Sequence, residues 1–310
     1  MGTMELLNES IIKGAWLAMK NKHSLANLVK AYPILNLLGS LERNISSIAY
    51  DSRKVEKDCL FVAIPGKHFD GSRFIVEAIY RGASAIVTSM PLSQILTLDL
   101  GSEDVTIICV EDCRKALASL SRDFYGSPSR ALNLVGITGT NGKTTLTYIL
   151  ENIYQRKGEL TGVIGTVNYR YCGKQFPASM TTPESLELSR LLAEMAQGGA
   201  NHCFLEVSSH SLSLKRVFGM NFSVGVFTNL SRDHLDFHGD MENYKNAKMS
   251  LFREHSVSKG VINIDDPVGR EIFSEFKTTA LSTGVDSPAD IMAEDLSLSE
   301  YSSLFTLKTP

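Results

Sequence analysis

Residues 136–145, GITGTNGKTT, hold the residue types that grip a phosphate chain. Gly139 and Gly142 let backbone N–H groups crowd around phosphate oxygens, and the N-terminus of a following helix adds partial positive charge. Lys143 stands where it can bridge terminal phosphates, and the Thr144 hydroxyl where it can ligate Mg²⁺. The strict GxxxxGK[ST] spacing fails at one place, because Ile137 occupies the first glycine position. The strand before and the helix after are both legible, so the stretch reads as a nucleoside triphosphate site. Two further stretches add chemistry. FLEVSSH (204–210) presents Glu206 and Ser208 at the end of an apolar run, and Glu206 is a candidate for a second metal or a metal-bound water. TNLSRDHLDFHGD (228–240) gathers Asp233, His234, Asp236 and His238; for any one histidine a structural role is the better reading, but four polar ligands in six residues, on the same sheet edge as Glu206 and the glycine loop, point to the site.

A lysine in ENYKNAKMSLF (242–252) raises a separate question. At about 100° per residue, Met241, Tyr244, Leu251 and Phe252 share one helix face with Lys248 in its middle, while Lys245 lies at the edge within reach of water. In one reading the Lys248 stem packs and its ammonium snorkels to solvent. In the other the amine is buried, its pKa falls, and the neutral form captures CO₂ as a carbamate, an anionic oxygen ligand suited to a hard divalent cation. Spacing alone favours snorkelling.

The elements that must position these residues alternate along the chain. CLFVAI (59–64), SAIVTS (84–89) and VTIICV (105–110) read as strands, with a helix around Phe74, Ile75, Ala78 and Ile79 that ends at Gly82. A helix from about Asp112, with Leu117, Leu120 and Phe124 on one side, leads to the breaker GSPSR. Strand LNLVGIT, the glycine-rich turn and a helix with Leu146, Ile149, Leu150, Ile153 and Tyr154 on one face then open a second series. TTPESLELSRLLAEMAQGG predicts a helix with Thr182 as N-cap and Pro183 at its first position. Strands CFLEVSS, SVGVFTNL and GVINI follow, and two short strands flank SEYSS before Pro310. The predicted class is α/β: a small N-terminal α/β domain over 1–111, with an extra helical segment in 1–40, and a doubly wound, mainly parallel P-loop domain over 112–310. The chain stops directly after its last strand and reads as cut.

Bulk properties exclude several classes. With 43% hydrophobic and 21% charged residues the chain matches an ordinary globular protein. A net charge of −3 gives no footing for nucleic acid, and no apolar run is long enough to insert in a membrane. Five scattered cysteines form no CxxC pair, which fits free thiols in a reducing cytoplasm. No protein partner is readable.

GTNGKTT, TTPESLEL, EVSSHSL, DHLDFHG and YKNAKMSLF occur in the order found in the Mur ligases, which the chain resembles over about residues 45 to 310. YDSRKVEKDCLFVAIPGKHFDG (50–71) resembles their UDP-binding region. The likeness is strongest to the members that add the third amino acid to UDP-N-acetylmuramoyl-L-alanyl-D-glutamate. It implies that Gly139, Thr140, Asn141, Gly142, Lys143, Thr144 and Thr145 hold ATP. Thr144 and Glu206 would serve one Mg²⁺, and His234 with a carbamylated Lys248 a second. Tyr50, Ser52, Lys67, His68 and Phe69 would meet the uridine diphosphate, and Thr181, Thr182, Ser208 and Arg216 the muramoyl-dipeptide. The incoming amino acid would be meso-diaminopimelate rather than lysine, on family frequency. Leu214 departs from a glutamine that members often carry there, and the family's C-terminal domain, which binds the amino acid and closes over ATP, is not among the 310 residues.

A carboxylate is a poor electrophile, so the implied route phosphorylates the D-glutamate γ-carboxylate with ATP and lets an amine displace the phosphate. Lys143, His234 and Lys248 are its expected catalytic residues. Other readings stand beside it: a folylpolyglutamate-synthase-like ligase, a fragment that binds ATP and UDP-sugar without turnover, and a GTPase-type switch. The last could claim Asp236–Gly239 as its DxxG, but the chain has no NKxD guanine-reading motif.

Overall fold

Short β-branched and aliphatic runs, each bounded by turns, form the strands, and the computed structural model describes residues 23–66, 70–101 and 104–310. Two compact units emerge. One comprises Met1–Ala131, Pro183–Gln197 and Leu214–Gly219; the other comprises Leu132–Thr182, Gly198–Ser213 and Met220–Pro310. Both build on largely parallel sheets with helical crossovers, the α/β class expected from the alternating pattern.

In the first unit, strands β1 (His23–Ser24), β2 (Asn36–Leu38), β3 (Asn44–Ile45), β4 (Ser47–Ala49), β5 (Cys59–Val62), β6 (Ala83–Thr88) and β7 (Thr106–Cys109) make a small β1–β3 ladder and a sheet of order β2-β7-β6-β5-β4. The sheet is parallel except for β2. Its inner strands β5, β6 and β7 are buried along almost their whole length because both faces are covered, whereas the edge strand β2 is exposed. Leu60, Val62, Ala85, Val87 and Ile108 pack with Leu117, Leu120 and Phe124, while Phe61, Ile86 and Ile107 pack with Ile75, Ile79 and Ile95. Helix Cys113–Phe124 thus lies in this unit's core, and helix Ser185–Gln197 packs against it. Residues 1–40 were expected to be helical. Of their described part only Leu25–Val29 is an α-helix, and Asn36–Leu38 instead pairs antiparallel with Ile107–Cys109. Residues 1–22 lie outside the described part.

The second unit carries β8 (Asn133–Thr138), β9 (Thr161–Ile164), β10 (Asn168–Tyr171), β11 (Lys174–Pro177), β12 (His202–Glu206), β13 (Asn221–Phe227), β14 (Ser256–Asn263), β15 (Ala280–Gly284), β16 (Ile291–Leu298) and β17 (Ser303–Lys308). Their order is β11-β10-β9-β12-β8-β13-β14-β15-β16-β17, parallel from β9 to β16 and antiparallel at both margins. The chain enters at β8, builds one side through β9 and β12, then crosses to β13 and beyond. That reversal makes β8 a topological switch point, where the carboxyl ends of strands leave a crevice for ligands. The register pairs Glu206 with Ile137 and Phe227 with Thr138, so β12 and β13 end level with β8.

Two local expectations fail. Helix Ser185–Gln197 begins at Ser185, not at Pro183, and Thr182 is not its cap. The Thr182 hydroxyl donates to the Glu206 carbonyl (2.7 Å) and accepts from the Ser208 N–H (3.1 Å), while the Glu184 carbonyl receives the Leu188 N–H. In helix Lys143–Arg156 the apolar face is rotated from the predicted one. Thr147 is its buried residue, and Ile149 and Ile153 are about half exposed. Among the described residues no helix is long and apolar enough to cross a membrane, and none of the cysteines is paired.

Asp266 caps helix Pro267–Phe276 through the Val268 N–H (2.8 Å) and, with its other oxygen, receives the Leu230 N–H (2.7 Å), tying the segment after β13 to the sheet. Asp266→Ala therefore costs about 1–3 kcal/mol in urea unfolding. Asp266→Asn, which keeps one acceptor, loses less.

Candidate functional site

The segment after β8 does what its glycines permit. Gly139 has φ +142°, and a Cβ there would stand 1.9 Å from the Thr228 hydroxyl, so only glycine lets the loop lie this close to the neighbouring strand end. The loop is laced to the segment after β13. The Thr140 N–H donates to the Asn229 carbonyl (2.8 Å), the Asn141 N–H to the Asn229 amide oxygen (3.0 Å), and the Thr228 hydroxyl to the Asn141 carbonyl (2.7 Å). Helix Lys143–Arg156 follows at once, its first N–H groups directed at the loop.

Lys143 and Lys248 meet at one atom. The Lys143 Nζ donates to the Gly139 carbonyl (2.8 Å) and the Thr140 carbonyl (2.9 Å), and the Lys248 Nζ donates to the same Gly139 oxygen (2.8 Å). Lys248 is 1% exposed and its amine lies 4.7 Å from the centre of the Tyr244 ring, so the snorkelling reading is overturned. The helix face predicted for it holds: Tyr244, Leu251 and Phe252 are buried, and Lys245 reaches Glu242 and Glu271 at the surface. Burial, followed by the nearby Lys143 charge, lowers the Lys248 pKa to about 7, while Asp233 acts against the fall. Burial also lowers Lys143, with Glu206 and Asp233 opposing.

Glu206, at the end of β12, is the second centre. Its carboxylate is buried and accepts from the Thr144 hydroxyl (3.0 Å), the Thr166 N–H (3.1 Å) and the Thr166 hydroxyl (2.9 Å). Thr166 in turn bonds Thr181 (3.0 Å). A Cβ at Gly165 would lie 2.2 Å from this carboxylate, which explains the glycine beside it. Among the described residues no basic side chain lies within ion-pair range of Glu206. A buried carboxylate without a counter-ion, surrounded by hydroxyls next to a phosphate loop, is an all-oxygen set that fits a hard divalent cation. Thr166 was not singled out by sequence reasoning, and its only signal is a position just past a strand end.

The histidine-rich stretch does not assemble as four converging ligands. Among the described residues no three His, Cys, Asp or Glu side chains form a metal-type group. His234 is half exposed, adopts φ +51°, pairs with Asp233 (3.5 Å) and stacks edge-on with His210. His238 instead hydrogen-bonds Ser209 (2.9 Å) and lies against Tyr244, whose hydroxyl bonds Thr140 in the phosphate loop (3.1 Å). Ser208 is held by Thr182 and accepts from the Ser211 N–H (3.2 Å).

In the first unit, Tyr50 and Ser52 line a cleft of about 710 Å³ together with Arg53, Gly66, Phe74 and Glu77. The Tyr50 hydroxyl donates to Glu187 (3.0 Å), and burial with that carboxylate raises the phenol's pKa. Arg216 is held by Glu184 (2.7 Å). Lys67, His68 and Phe69 lie outside the described residues.

Comparison with known proteins adds an independent line. Residues 137–310 match the Mur ligase middle domain, and residues 44–125 match the Mur ligase family, catalytic domain. The UDP-N-acetylmuramoyl-L-alanyl-D-glutamate–2,6-diaminopimelate ligase of Clostridium perfringens (strain 13 / Type A) is 43% identical over 263 residues, 85% of this chain and 52% of the relative. A solved structure of a UDP-N-acetylmuramoyl-L-alanyl-D-glutamate–2,6-diaminopimelate ligase superposes with TM-score 0.78 at 27% identity, covering 93% of this chain and 58% of that one. MurF ligase from Thermotoga maritima in complex with ADP gives TM-score 0.53 at 25% identity, covering 85% and 56%. The chain spans about half the length of the curated relatives it matches.

Lys248 ties stability to pH. Its amine titrates at 10.5 when unfolded and at about 7 in the fold. Below pH 7 both states are protonated and folding buries the charge in full. Between 7 and 10.5 the unfolded chain holds the extra proton, so stability rises with pH. In CO₂-free buffer Lys248→Met is therefore more stable than the wild type at pH 6, by on the order of 5 kcal/mol, and this advantage fades toward pH 10. Melting curves of the two proteins that run parallel with pH contradict this.

Proposed function

Because the chain belongs to the Mur ligase family, we propose that it works in ATP-dependent amide formation for cell-wall precursor synthesis. It would join 2,6-diaminopimelate to the D-glutamate of UDP-N-acetylmuramoyl-L-alanyl-D-glutamate in the bacterial cytoplasm. The observation that carries this reading is the meeting of Lys143 and Lys248 on the Gly139 carbonyl, beside Glu206, at the switch point of the sheet. The activity for which the 43%-identical relative is named supports the choice of substrates.

The chemistry follows from what each residue offers. Backbone N–H groups of Gly139–Thr145 and the following helix N-terminus take the ATP phosphates. Lys143, now bonded within its own loop, turns to the β- and γ-phosphates and neutralises charge as the γ-phosphoryl group moves. The acceptor is the γ-carboxylate of D-glutamate, which becomes an acyl phosphate as ADP leaves. The amine of the incoming amino acid attacks its carbonyl carbon, the C–O bond to phosphate breaks, and the amine gives up a proton to leave an amide. No protein nucleophile is needed. Thr144 and Glu206 would hold one Mg²⁺, and His234 with a Lys248 carbamate a second. Bound there, the ions would offset negative charge on the phosphates. Thr181, Thr182, Ser208 and Arg216 are proposed for the muramoyl-dipeptide, and Tyr50 and Ser52 for the uridine diphosphate.

ATP binding is the first test. Calorimetry with this chain is expected to give ATP binding that GTP does not displace, and Lys143→Ala is expected to weaken it at least tenfold. In a protein that turns over, the same substitution lowers amide formation by 100-fold or more. Preference for GTP, or full activity of Lys143→Ala, would remove the ligase reading.

A further inference from the structure

Glu184 is the meeting point of two arginines in the first unit. The Arg216 Nε donates to Glu184 Oε1 at 2.7 Å, and the Arg114 Nη1 stands 3.5 Å from the same oxygen. The side chains of Glu184, Arg216 and Arg114 are 10%, 12% and 16% exposed, so this is a sheltered cluster and not a solvated ion pair. Arg114 also reaches the other way, its Nη2 donating to the Pro65 carbonyl at 2.6 Å. Pro65 is bridged to Asp70, and the next residue, Gly66, lines the cleft with Tyr50 and Ser52. The Arg114 Nη1 is buried and makes no hydrogen bond, so its hold on Glu184 is one of charge. Tyr50 in the cleft wall feels both the Glu184 and Arg216 charges.

We propose that Glu184 and Arg114 are positioning residues for the UDP-muramoyl-dipeptide. Glu184 holds the Arg216 guanidinium ready for an anionic group of the peptide, and Arg114 links that same carboxylate to the Pro65 carbonyl, between Ile64 and Gly66 of the cleft lining. One network then aligns the peptide end and the nucleotide end of a single substrate. An arginine fixed before binding loses less side-chain freedom when the substrate arrives, and the gain appears as affinity. This inference rests on the function proposed above.

Calorimetry separates the two. UDP-N-acetylmuramoyl-L-alanyl-D-glutamate and UDP alone are titrated into the wild type, Glu184→Gln, Arg216→Met, the double variant and Arg114→Lys, with thermal melts confirming folding. Glu184→Gln keeps the shape and removes the charge. It is expected to weaken the dipeptide ligand at least tenfold and UDP less than twofold. The double variant is expected to bind no worse than Arg216→Met alone, since Glu184 acts through Arg216. Arg114→Lys, which cannot span both contacts, is expected to weaken both ligands. Wild-type affinity in Glu184→Gln, or a loss that adds in full to that of Arg216→Met, overturns the inference. If Glu184→Gln does not fold, unchanged affinity of Arg114→Lys for both ligands overturns it instead. A wild type that binds no muramoyl-dipeptide removes the function reading, and this one with it.

Discussion

The carbonyl oxygen of buried Gly139 accepts from half-buried Lys143 and from fully buried Lys248, each at 2.8 Å. Two ammonium groups on one oxygen stand within about 6 Å of each other and repel by about 3 kcal/mol at an effective dielectric of about 20. Burial adds its own penalty to each charge. Lys248 is the amine that yields, because its pKa falls to about 7 while Lys143 has Glu206 and Asp233 opposing the loss of its proton. Two residues of one type thus stand side by side with different leanings: burial pushes Lys248 furthest toward the neutral amine, while nearby carboxylates favour the charged form of Lys143.

That convergence depends on the sheet. β8 is flanked by β12 and β13 because the chain reverses direction across it, so three strand ends deliver the glycine loop, Glu206 and the Thr228–Ser231 segment to one edge. Helix Met241–Arg253 then brings Tyr244 and Lys248, one turn apart, against the loop from the far side. The Thr228 hydroxyl beside Gly139 and the Glu206 carboxylate beside Gly165 leave no room for a Cβ at either position. A buried amine and a buried carboxylate with no direct ion-pair partner among the described residues both cost folding energy.

Much of this was legible in the residues. Apolar runs of strand length, each followed by turn chemistry, gave the α/β order, and GTNGKTT gave the loop. The Lys248 face was visible from the 3.6-residue period, but whether its amine bent outward was not, since periodicity says nothing about what covers a side chain. Thr182 looked like an N-cap because TTPE is a helix-start pattern. Its hydroxyl is taken instead by a strand end distant in sequence, a pairing that no local rule contains. The strand at Asn36–Leu38 was missed for a similar reason, because three residues carry too little pattern until β7 is there to pair with them. Thr166 and Glu184 gained meaning only once the fold brought their partners to them.

We propose that burial, by lowering the Lys248 pKa to about 7, leaves enough neutral amine at neutral pH to capture CO₂. The most direct measurement is ¹³C NMR of the protein equilibrated with ¹³C-bicarbonate at neutral pH. A carbamate resonance in the wild type that disappears in Lys248→Arg is the predicted result. A wild-type spectrum with no carbamate signal, or a signal that survives Lys248→Arg unchanged, would contradict the account.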